Sequence, residues 1–241
     1  MEPYHLPVTF FLALFTCQAA RTVDPSTDLS CQLGSSVDLA MGLPKGADFT
    51  AIILHSVNRR KGVALWQAGH PVQVLNTHYS KRVTLTEDTR AFRIHHLGLE
   101  DTGTYNVYMQ SPGSPTDVVL KAYTVFVFNV TATPAQLSNG SCSLDYLCEV
   151  GWPGVKYSWK NATSGDTVAQ GDFLHLVLHP KGSKDQYTCM AQASSSRGSW
   201  DVTPYEHCHS MSGAAGYLKP ALPRGSCLLS AALVVLVVVL S

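Results

Sequence analysis

In the second half of the chain Cys148 is followed eleven residues later by Trp159, and Cys189 is preceded two positions earlier by Tyr187 in the run Asp185-Gln-Tyr-Thr-Cys189. A Trp packed on an inter-sheet disulfide, with a Tyr whose hydroxyl ties down the corner before the second Cys, is the signature of an immunoglobulin-type sandwich. A Cys148–Cys189 bridge would close a loop of 41 residues. Closing a loop of that length stabilises by about 4 kcal/mol in the chain-entropy account. Cys142 and Cys208 stand at the start and end of the same module and are expected to pair, although four cysteines allow three pairings.

The first half repeats the plan with the cysteines missing. Gly34-Ser-Ser-Val37-Asp-Leu39-Ala-Met41 alternates like a second sandwich strand, with Met41 where the first Cys would sit. Asp101-Thr-Gly103-Thr-Tyr105-Asn-Val107 matches the corner and sixth strand, with Val107 in place of the second Cys. Thirteen residues past Met41, at the core Trp position, stands Leu54. An aliphatic core must then replace bridge and Trp, each buried side chain stabilising by about 1.5–3 kcal/mol. Arg82-Val-Thr-Leu85 and Phe92-Arg-Ile94 read as the fourth and fifth strands, with Arg82 placed to pair with Asp101. The chain shows no convincing helical period, so it is read as all-β, with two sandwiches over 21–127 and 128–208.

Both ends are apolar. Leu6 to Cys17, followed by Gln18-Ala19-Ala20, has the length and small-residue exit of a secretory signal covering 1–20, cut after Ala19 or Ala20. The run Cys227 to Leu240 would span about 21 Å as a helix, short of a hydrocarbon core of about 30 Å. It is preceded by a polar spacer and by the small residues Ser212, Gly213 and Ala214. That order is the attachment signal for a glycosylphosphatidylinositol (GPI) lipid, with 209–213 as stalk and attachment site and 214–241 removed. Three sequons, at Asn129, Asn139 and Asn161, fit the oxidising extracellular setting that the cysteines imply. With Cys17 and Cys227 lost in processing, five cysteines remain, and Cys31 is expected as a free thiol, half-buried or bridging between molecules.

Seventeen basic against seventeen acidic residues leave zero net charge, so no field exists to attract nucleic acid. No G-x-S-x-G, H-E-x-x-H or P-loop is present, and neither enzyme activity nor a cofactor is expected. His95-His96 would point to opposite sides of a strand, and Cys208 in His207-Cys208-His209 is taken by a disulfide, so neither group is read as a metal site.

Cys142-Ser-Leu-Asp-Tyr-Leu-Cys148, Val155-Lys-Tyr-Ser-Trp159, Tyr187-Thr-Cys189 and Cys208, with the cysteine-free Val37/Met41 and Tyr105/Val107 pairs, resemble the SLAM family of leukocyte immunoglobulin-superfamily receptors. Leu54 stands where that family usually keeps a Trp, and Cys31 is extra. The resemblance implies a V-like domain without a disulfide, then a C2-like domain with two. It also implies a GPI-anchored adhesion ligand on the outer leaflet that binds a SLAM-type receptor on another immune cell and has no signalling motif of its own. A virus-borne or secreted decoy of the same fold, and weak self-association, stay open as alternatives. The resemblance points to one sheet face of domain one for head-to-head binding. With Val107 and Leu54 inward, Asn106, Tyr108 and Gln110 point outward on the sixth strand and Ile53 and His55 on the third. Arg59, Arg60 and Lys61 in the following turn, and Trp66 and Gln67 beyond it, are expected to complete that face.

Overall fold

A computed structural model of the full chain describes residues 26–86, 88, 90–179, 182, 184–212 and 228–229. The signal segment, Cys17, Gly213, Ala214 and Cys227 lie outside the described residues.

Domain one holds β1 (Thr27–Gln32), β2 (Val37–Ala40), β3 (Ala51–Ser56), β4 (Lys61–Trp66), β5 (Gln73–Val74), β6 (Val83–Thr86), β7 (Ala91–Ile94), β8 (Gly103–Gln110) and the first half of β9 (Val118–Gln136). One sheet runs β5-β4-β3-β8-β9, with β1 parallel to β9; the facing sheet runs β2-β7-β6. The period-2 alternation read from the sequence is the burial pattern of β2, where Val37 and Leu39 are buried and Asp38 and Ala40 exposed. Met41, Leu54 and Val107 are fully buried in one cluster with Leu39, Ile52 and Phe92, so aliphatic packing fills the place of bridge and Trp.

Domain two comprises the second half of β9 with β10 (Cys142–Val150), β11 (Lys156–Asn161), β12 (Thr167–Gln170), β13 (Phe173–Leu178), β14 (Tyr187–Ala193) and β15 (Ser196–Val202). Its sheets are β9-β10-β13 and β12-β11-β14-β15. The protein is thus all-β, built as two tandem immunoglobulin-like sandwiches. Cys148 bonds Cys189 and Cys142 bonds Cys208. Trp159, opposite Cys189 in the β11–β14 ladder, is fully buried and donates from Nε1 to the Asp172 carbonyl at 3.2 Å.

A helix, α1 (Pro204–Ser212), follows β15, where the sequence suggested none and placed a stalk from 209. Its polar residues carry no strong period; Pro204 starts it with a preset φ, and the Cys208 bridge to β10 fixes it in place. His207 packs edge-on against Tyr146. Leu228–Leu229 form a short strand, β16, antiparallel to β1. No helix among the described residues is long and apolar enough to cross a membrane. Cys31 is fully buried in β1 and disulfide-bonded, which corrects the expectation of a free or half-buried thiol. The expectation followed from discarding both terminal cysteines, which leaves five; with one of the two kept the count is six and every cysteine can pair.

No linker separates the domains, because β9 is one strand of 19 residues. Its alternation serves both cores. Tyr123, Val125 and Val127 pack into the first cluster, whereas Phe126 and Phe128 pack into the second. Phe126 stacks on Trp152 and Phe128 on Trp200, with ring centroids 5.9 and 6.2 Å apart. The Ser30 hydroxyl and the Asp28 carboxylate of β1 accept from the backbone N–H groups of Ser199 and Arg197. A Cβ on Gly198 would lie 2.6 Å from the Phe126 ring, so only glycine admits this approach.

At the base of domain one, the fully buried Asp101 carboxylate accepts from Arg82, from the Gly98 N–H at 2.9 Å, and faces His78 Nε2 at 2.9 Å. The Tyr105 hydroxyl donates to the Asp101 carbonyl at 2.7 Å and meets the Tyr79 hydroxyl at 3.1 Å. Burial alone would raise the Asp101 pKa, but the Arg82, Gly98 and His78 contacts outweigh it and hold it below the ordinary carboxylate value. A depressed folded value means stabilisation that is present above the unfolded pKa, about 3.9, and lost as pH falls through the folded one. Asp101→Asn should therefore lose about 3 kcal/mol at pH 7. The gap to wild type, measured by urea unfolding, should shrink below about pH 4.

Candidate recognition face

The outer face of the β5-β4-β3-β8-β9 sheet is built by register. Tyr108 on β8 lies opposite Ile53 on β3, Asn106 opposite His55, and Gln110 opposite Ala51. All face away from Leu54 and Val107, as alternation requires. The His55 and Tyr108 rings meet edge to face at 6.1 Å, and Asn106 Nδ2 donates to the Tyr108 hydroxyl at 3.2 Å. The His55 Nδ1 atom is shielded from solvent and has no hydrogen-bond partner.

Two expected members lie elsewhere. Trp66 is half-buried against the domain-one core, opposite the buried Ile52. The cause is a β-bulge between Leu54 and His55, where Leu54 pairs with Ala64 but His55 with Gly62. One extra residue, Val63, reverses the side on which every later β4 residue points. Trp66 instead stacks near Phe49, 5.5 Å between centroids, and walls a cleft of about 790 Å³ with Leu43, Pro44, Pro71 and Val72. Arg59 also turns away from the sheet, donating to the Glu100 carbonyl at 2.8 Å, with its guanidinium 3.1 Å from His78 Nε2 and beside the Tyr79 ring. It belongs to the Asp101 cluster. Arg60, in the β3–β4 turn at a left-handed φ of 52°, and Lys61, the first residue of β4, remain exposed, and Gln67 is exposed just past β4.

The same bulge brings in residues that simple alternation misses. Leu65 lies opposite Ile53, and the exposed Gln73 opposite Leu65. Val119 of β9 lies opposite Tyr108. The adjacent burial of Val63 and Ala64 marks the slip, and Gly62, inside the strand opposite His55, is the residue in Lys61-Gly-Val-Ala-Leu-Trp66 that hints at it. The face is thus an apolar field of Ile53, Leu65 and Val119 around Tyr108 and His55, with amides at its margins.

His78, Glu100 and Asp101 each bring a ligand-type atom within 4.8 Å of the others. The Arg82 guanidinium already neutralises the carboxylate and Arg59 flanks it, so the group is an ion-pair cluster rather than a cation site. His95 bonds the Thr84 hydroxyl at 2.9 Å, while His96 is exposed with a left-handed φ of 51°. The sequon residues Asn129, Asn139 and Asn161 all lie on domain two, at β9, the β9–β10 turn and the end of β11.

No family model matches the chain. Among solved structures, CD84 of the SLAM family is similar at 20% identity over 43% of this chain and 97% of its own, with a TM-score of 0.37. An amphioxus IgVJ-C2 molecule is similar at 19% identity over 72% of this chain and 98% of its own, TM-score 0.37. The CD2-binding domain of CD58 is similar at 14% identity, covering 74% and 97%, TM-score 0.40.

The two aromatic residues now part in role. Trp66→Ala should lower stability by at least about 2 kcal/mol, because it opens a packed site. Tyr108→Ala should change stability by less than about 1 kcal/mol, because its ring lies on the open face. Thermal and urea unfolding of the two variants check this ranking.

Proposed function

We propose that this protein is a cell-surface recognition ligand that binds an immunoglobulin-superfamily receptor of the SLAM type on another cell through the Tyr108–His55 face of domain one. The observation that carries the reading is that face itself: an aromatic pair set in an apolar field, on a domain without a sequon. Interface centres favour Tyr and desolvated polar groups, whereas charges near the rim chiefly steer encounter. Tyr108 and His55 with Asn106 and Gln110 supply the first, and Arg60 and Lys61 the second.

In this reading residues 1–20 are removed on secretion, Asn129, Asn139 and Asn161 carry glycans, and Ser212, Gly213 or Ala214 receives a GPI lipid in the outer leaflet. Processing at that point removes Leu228–Leu229 from the β1 edge they cover in the full chain. Bacterial phosphatidylinositol-specific phospholipase C should release the protein from cells; retention after confirmed enzyme activity would mean the tail is kept.

Binding is tested by presenting the cell-expressed protein to a panel of leukocyte receptor ectodomains and then measuring variants on the receptor found. Tyr108→Ala should cost more than about 1 kcal/mol, mainly through faster dissociation. Reversing Arg60 and Lys61 to Glu should slow association, most at low salt. Wild-type binding by both folded variants places the site elsewhere.

A further inference from the structure

We infer that the free edge of β13 pairs with the same edge of a second copy of this chain, antiparallel about a twofold axis at His175. Sheet edges invite strand addition unless they are short, charged, interrupted by proline or covered. The other edges meet those conditions: β2, β5, β6 and β12 have two to four residues, and β1, which loses Leu228–Leu229 on the proposed processing, carries the charged Asp28 and is tied to β15 through Arg197 and Ser199. β15 is turned toward β1, while β9 carries Pro134 and packs against α1. β13 differs. It is six residues long, reads Phe-Leu-His-Leu-Val-Leu, and ends its sheet with no proline and no carboxylate or ammonium group of its own.

The Cys148 N–H of β10 donates to the Asp172 carbonyl at 2.9 Å. By the alternation of an antiparallel ladder, the peptide groups of Phe173, His175 and Val177 then point away from β10 to the open edge. Their side chains stand on the solvent face, with Phe173 and Val177 about half exposed at 50% and 47%. Leu174 is buried in the domain-two core and Leu176 packs against it.

The strand is its own complement. A partner must keep Leu174 and Leu176 on the core side, which restricts the register to even offsets. The offset centred on His175 puts Phe173 opposite Val177 of the second copy, and Val177 opposite its Phe173. Aromatic against β-branched is a favourable cross-strand pair. Leu174 then meets Leu176, and each His175 Nδ1 lies 2.6 Å from Oδ1 of its own Asp145. No sequon falls on β13. Six residues a side make a contact smaller than the roughly 1,200–2,000 Å² of stable complexes, so the pairing suits copies concentrated on one membrane.

The test uses the full chain expressed in mammalian cells. In a hydrogen-bonded antiparallel pair the Cα atoms lie about 5.5 Å apart, within disulfide reach. His175→Cys should give a disulfide-linked homodimer under mild oxidation. It should do so several-fold more than Val168→Cys, a control of similar exposure on β12. Adding Phe173→Lys and Val177→Lys should abolish the dimer, and Val177→Lys alone serves if the double variant does not reach the surface. Equal cross-linking at 168, no homodimer, insensitivity to lysine, or a disulfide to a different protein would each overturn the inference.

Discussion

The architecture depends on one strand belonging to two cores at once. Because side chains alternate along β9, Val125 and Val127 are committed to domain one while Phe126 and Phe128 are committed to domain two. A flexible linker would let each sandwich form independently. Here the residues that complete one core fix the backbone from which the other is completed. The stacked Phe126–Trp152 and Phe128–Trp200 pairs and the close approach of Gly198 then leave the joint little room to bend. Inter-domain interfaces that are polar and small permit motion; one threaded by a continuous strand and sealed by four aromatic rings does not.

That coupling bears on how domain one dispenses with its disulfide. Its core is aliphatic, with Met41, Leu54 and Val107 in place of bridge and Trp, and such packing by itself specifies position less tightly than a covalent link. The Asp101 cluster supplies the missing definition. A buried carboxylate satisfied by Arg82, His78 and a backbone N–H, with Tyr105 and Tyr79 closing above it, ties the turns before β6 and β8 to each other and to β8. Arg59 joins the same cluster from the β3–β4 turn, tying the turn beside the outer face to the base of the domain.

Much of this was legible in the sequence because it rests on spacing. The second-domain Cys–Trp–Tyr–Cys pattern, the Met41/Val107 substitution and the Arg82–Asp101 pair each follow from period-2 alternation and fixed loop lengths. Trp66, Arg59, α1 and Cys31 were not legible, for separate reasons. Trp66 turns inward because a single bulge inverts β4, and Gly62 hints at a bulge without fixing where the register slips. Arg59 is drawn to carbonyls and rings that are near only in three dimensions. α1 is held by a disulfide and contacts rather than by helical propensity. The state of Cys31 depends on which terminal cysteine the chain keeps, since counts of five and seven leave one unpaired and six does not.

The recognition face and the β13 edge sit on different domains, and the stiffness between them decides what they can do together. If the joint were loose, an edge contact in domain two would leave the orientation of Tyr108 and His55 free, and pairing copies would add little beyond local concentration. With β9 continuous, joining two β13 strands about a twofold axis also sets the direction in which both recognition faces point. Under the proposed function, two weak contacts to receptors on an opposing cell would then be made from one oriented unit, without first ordering a hinge. The strand that completes both cores is therefore also what would let an edge in one domain govern the presentation of a face in the other.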